Sequence, residues 1–117
     1  MVKFSEMKYE RPDTDAVKAG IARLVAAFRT CGSYEEARAL LLEKDRLERH
    51  VDSMATLANI RHSIDTRDEF YDREASYWDD TMPELEEAYH EWTLAMLDSP
   101  YRRELAGEFG DVIFINA

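Results

Sequence analysis

The chain of 117 residues is poor in everything that usually interrupts or cross-links a fold: four Gly, three Pro and a single Cys. So few breakers argue against an all-β chain, and 45% apolar residues argue against disorder. Cys31 has no partner for an internal disulfide, and no His or carboxylate network beside it would activate a nucleophile. No apolar run reaches the roughly 18 residues of a membrane span, and no charged-then-apolar leader marks a signal peptide. Compact basic clusters are missing too. With 25 acidic against 15 basic residues the formal charge is -10, which repels phosphate backbones and anionic headgroups. Neither nucleic acid nor a membrane is expected as a partner, and the expected location is cytoplasmic.

What is present is helical periodicity. Tyr9-Glu10-Arg11-Pro12 closes an extended lead-in, because proline pushes the residue before it out of the helical region. Asp13 then suits an N-cap, and Val17, Ile21, Leu24, Val25 and Phe28 line one helical face. Gly32 is expected to stop this helix in the left-handed conformation. Ser33-Tyr34-Glu35-Glu36 forms a capping box that opens a second helix. Leu40, Leu47, Val51, Met54, Ala58 and Ile64 then keep to one side, with no Pro or Gly before Thr66. About 30 residues of helix would run roughly 45 Å.

Thr66-Arg67-Asp68-Glu69 repeats the capping-box pattern, so the chain should reverse there with Thr66 capping a third segment bearing Phe70, Tyr71, Ala75 and Trp78. Thr81-Met82-Pro83-Glu84 reads as a restart, with a nearly collinear fourth helix carrying Leu85, Ala88, Tyr89, Trp92 and Met96. Ser99-Pro100 begins a short fifth helix with Tyr101, Leu105 and Phe109, ending near Gly110. The expected fold is all-α: an antiparallel hairpin of two long arms with shorter helices one and five packed against it, one domain over residues 1–117. Val112-Ile113-Phe114-Ile115 forms an apolar tail expected either to fold back on the domain or to meet a partner, self-association included.

Metal sites fail on spacing. A zinc peptidase helix needs two histidines four residues apart with a glutamate after the first. His90-Glu91-Trp92-Thr93-Leu94 starts that pattern and puts leucine where the second ligand belongs. Glu87-Ala88-Tyr89-His90 supplies one Glu-x-x-His unit of a di-iron bundle, but Leu47 and Asn59 stand three residues before His50 and His62, so no second unit exists. Aromatic residues between 70 and 101 fit core packing better than a ligand pocket. No Gly-rich phosphate loop or recognisable Ser or Thr nucleophile is found. The expectation is therefore no catalytic, cofactor-binding or metal-ligating residue in the chain. Arg61 to Tyr71 is the densest stretch of mixed charge; Asp65 and Asp68 are expected to pair with Arg61 and Arg67 around the turn.

That turn, RHSIDTRDEFY, occurs within MATLANIRHSIDTRDEFYD and together with the lead-in KFSEMKYERPD, the Ser33 cap and the later SPYRREL. In this order and spacing, and over nearly the whole chain, these segments resemble the N-terminal region of oligoendopeptidase F-type zinc metallopeptidases. The resemblance implies a helical domain that packs on a separate catalytic domain and walls a channel for short peptides. It also implies that the zinc, held by a His-Glu-x-x-His helix and a later glutamate, belongs to sequence beyond residue 117. On this reading the chain is inactive alone. The alternative is a stand-alone helical interaction or oligomerisation module.

Overall fold

The computed structural model describes residues 8–115; the part of the lead-in before Lys8 lies outside them. Four α-helices follow in order: α1 (Thr14–Thr30), α2 (Tyr34–Ile64), α3 (Glu69–Leu97) and α4 (Arg102–Phe109). A 3-10 turn over Asp111–Phe114 closes the described chain, and no strand occurs among the described residues. The fold is the all-α hairpin that the periodicity predicts. α2 and α3 are the arms, α1 lies along both, and α4 with the 3-10 turn packs at the end opposite the hairpin tip. The described chain extends 51 × 28 × 20 Å, in keeping with an α2 of 31 residues at about 1.5 Å per residue.

Local starts follow their caps. The Asp13 side chain accepts from the Ala16 N–H at 3.1 Å, and the Ser33 hydroxyl accepts from the Glu36 N–H at 3.2 Å. Glu36 reaches back one residue beyond the cap and accepts from the Gly32 N–H at 3.1 Å, a variant of the expected box.

Three boundaries differ from expectation. α1 does not end through a left-handed Gly32. Its cap is Cys31 in an extended conformation, φ -66° and ψ 148°, and Gly110 is the one positive-φ glycine among the described residues. A three-residue connection to α2 needs the chain to leave α1 extended, and a left-handed cap would turn it back. At the hairpin tip Asp68, not Thr66, caps α3, accepting from the Phe70 N–H at 2.9 Å. Asp65 accepts from the Arg67 N–H at 3.0 Å, so its carboxylate, too, binds turn backbone. Finally, Pro83 interrupts nothing: the third and fourth segments are one helix, α3. Proline frees the carbonyl four residues back, at Asp79, and both positions are exposed, so water can satisfy that carbonyl.

Two apolar clusters fill the interior. Nearer the tip, Ile21 and Val17 of α1 meet Val51, Leu57 and Ala58 of α2 and Trp78, Leu85 and Tyr89 of α3. Nearer the other end, Trp92 packs edge-on to Phe28 with ring centroids 4.9 Å apart, and Leu41, Met96 and Leu105 close around them. Burying Trp78, Trp92, Ile21, Leu41, Leu57, Leu85, Met96 and Leu105 almost completely supplies most of the stabilisation, at about 1.5–3 kcal/mol per large apolar side chain.

Candidate functional site

The most organised polar feature lies where the lead-in meets α3. Glu74 sits on the buried stripe of α3, four residues after Phe70 and four before Trp78, and is only 4% exposed. Such a carboxylate must be paired. Arg11 supplies the partner in a two-pronged contact: its Nε donates to Oε1 at 3.0 Å and its terminal nitrogen donates to Oε2. The Tyr9 hydroxyl donates to the same Oε1 at 2.5 Å and accepts from the Trp78 indole N–H at 3.1 Å. The Arg11 guanidinium lies 3.7 Å from the Tyr77 ring centroid, and the Tyr77 hydroxyl meets Thr14 at 2.5 Å.

The electrostatics agree with the geometry. Hydrogen bonding to Arg11 outweighs burial and holds the Glu74 carboxyl below its ordinary value. Burial, followed by the bond to Glu74, pushes the Tyr9 phenol up to about 12. This network pins residues 9–14 to α3, with both carboxylate oxygens of Glu74 engaged. Periodicity could have flagged it, because Glu74 is an acidic residue on the apolar stripe of α3.

At the hairpin tip, the Arg61 guanidinium donates to the Tyr71 hydroxyl at 2.8 Å, and His62 lies 4.0 Å from Asp72. Ile64 is 81% exposed and Phe70 46%, with Ile60 partly open beside them. At the other end, Glu108 of α4 accepts from the Tyr34 hydroxyl and from Arg38 Nε at 2.5 Å. The apolar tail is split: Ile113 and Phe114 pack on the second cluster, while Val112 and Ile115 stay exposed.

His90 and Glu91 are exposed on α3, with Leu94 one turn on. Among the described residues no three His, Cys, Asp or Glu side chains come together in a way that could hold a metal ion, so the residues here do not fit a zinc. A widely open surface hollow of about 450 Å³ lies between α1 and α2, lined by Gly20, Arg23, Leu24, Glu43, Arg46, Leu47 and His50. Cys31 is half-buried, and burial raises its thiol, the opposite of an activated nucleophile. No described helix is long and apolar enough to cross a membrane.

A family profile for the peptidase M3 N-terminal domain matches residues 4–117. The chain belongs to that family. Two solved structures show the same fold. One, of an oligoendopeptidase F, shares 36% identity with a TM-score of 0.91 over 97% of this chain. The other, of Pz peptidase A with an inhibitor, shares 34% identity with a TM-score of 0.90 over 96%. The chain spans only 20% of the length of each of those proteins. No curated protein matches.

Proposed function

We propose that this chain is one helical domain, residues 1–117, of a cytoplasmic zinc-dependent oligoendopeptidase, serving as scaffold and wall of the channel that admits short peptides. The observation that carries the reading is the match of nearly the whole chain to one fifth of two peptidases, at 34% and 36% identity. Catalysis and zinc binding then belong to sequence outside this chain, and its partner is the catalytic domain. The rigid hairpin suits a wall: two long helices fastened at both ends hold a fixed face without needing a site of their own. Exposed Ile64, Phe70, Val112 and Ile115 supply apolar surface for that packing.

The reading frame after Ala117 tests the proposal. A downstream His-Glu-x-x-His helix is expected; a frame lacking it would refute the assignment. The interaction-module alternative draws on the same exposed residues at the tail. Light scattering separates the two, since a concentration-independent homodimer through Val112 and Ile115 favours the module and a weak, heterogeneous oligomer favours the wall.

A further inference from the structure

The hollow between α1 and α2 is cationic in a molecule whose net charge is -10. Arg23 comes to it from α1, and Arg46 and His50 come from α2; Glu43 is the one carboxylate in its lining. Leu24 and Leu47 add an aliphatic surface. A Cβ placed on Gly20 would lie 3.4 Å from Leu47 Cδ2 and 3.7 Å from a terminal nitrogen of Arg23. The Arg23 guanidinium and the Leu47 side chain thus border the same space over Gly20, one from each helix.

The fold makes no use of these cations. Arg11, Arg29 and Arg38 each reach a carboxylate on a distant element. Arg23 and Arg46 have no hydrogen bond or ion pair with any described residue, although acidic residues outnumber basic ones by 25 to 15. Helix α1 offers Arg23 no local partner, since Ala19, Gly20, Ala26 and Ala27 occupy the positions three and four residues away. Ahead of Arg46 those positions hold Arg49 and His50, so cationic groups are crowded together, and Glu43 behind it forms no ion pair with it.

We propose that this hollow binds an acidic peptide segment, with one glutamate or aspartate carboxylate between Arg23 and Arg46 and a neighbouring aliphatic side chain on Leu24 and Leu47. A guanidinium presents paired N–H donors that match the two oxygens of a carboxylate, and arginine clusters recur wherever acidic motifs are read. A volume of about 450 Å³ has room for the carboxylate and its aliphatic neighbour together. A nucleic acid fits worse: its other phosphates meet the surplus of acidic residues outside the hollow, whereas a single carboxylate meets chiefly the local cations. A wholly apolar segment would cover the guanidiniums without replacing their water. The inference rests on this hollow alone and stands apart from the peptidase assignment.

The test is an NMR titration of the 15N-labelled chain, following the arginine Nε–H signals, with a blocked Leu-Glu-Leu peptide and its glutamine counterpart. Arg23→Gln and Arg46→Gln assign the two signals, and both residues are exposed, so the variants keep the fold. The glutamate peptide should shift both signals saturably in the millimolar range, the glutamine peptide should not, and either substitution should weaken binding about fivefold. Arg73→Gln, an exposed position of α3 outside the hollow, should bind as the unaltered chain does. No saturable shift overturns the proposal. An equal response to the glutamine peptide overturns it too, as does binding undiminished in both hollow variants or weakened as much by Arg73→Gln. Blocked Gly-Glu-Gly binding as tightly as Leu-Glu-Leu would remove the aliphatic contact, and inorganic phosphate binding as tightly at matched ionic strength would show that the hollow reads charge and not a peptide; either result contradicts the assignment.

Discussion

Glu74 near the hairpin tip and Glu108 at the opposite end make the same kinds of bond, each accepting from a tyrosine hydroxyl and an arginine. Their surroundings differ. Glu74 is buried beside Trp78, whereas Glu108 lies on the open face of α4, above Leu105, which is fully buried. At the tip the ionic group is itself part of the interior, and losing one partner strands the other. At the far end the apolar side chain carries the attachment, and the ionic clasp decorates it.

Removing Leu105 should therefore hurt most. Leu105→Ala is expected to cost about 3 kcal/mol in denaturant unfolding, the usual range for a fully buried leucine. Glu74→Gln should cost about 2 kcal/mol at neutral pH, toward the lower end because Arg11 is partly exposed and can turn to water. Since the Glu74 carboxyl is held below its ordinary value, its advantage over glutamine is full above the usual carboxylate range and disappears as pH falls through the lowered value. Unfolding curves of the two proteins should accordingly converge in acid; a gap that stays constant with pH would mean that Glu74 acts by shape and not by charge.

Asp68→Ala should cost about 1 kcal/mol as a lost N-cap, while Thr66→Ala should change the thermal midpoint little. The reverse order would restore Thr66 as the cap. Smallest of all, Glu108→Gln should shift the midpoint slightly, with the difference erased by raising salt. A large, salt-resistant loss there would make the two ends alike.

Much of this architecture is legible in the residues. The stripes from Val17 to Phe28 and from Leu85 to Met96 are interior faces, and Asp13 and Ser33 cap where their hydroxyl or carboxylate chemistry places them. The misses have local causes. The box pattern begins at Thr66, whereas Asp68, two residues on, carries a carboxylate that caps equally well, and only the turn geometry chooses between them. Pro83 reads as a restart because sequence does not reveal that Asp79 faces water. Glu74 needed pairing across 65 and 63 positions of chain, to Tyr9 and Arg11 respectively. Periodicity marks such residues as inward but cannot name their partners. The family was readable from ordered motifs.

The most direct test of the account is a hydrolysis assay of the purified chain on a fluorogenic short peptide with added zinc. A helical wall without a hydrolytic site predicts no cleavage above buffer at any chain concentration. Cleavage that scales with the chain and is lost in His90→Ala would contradict it.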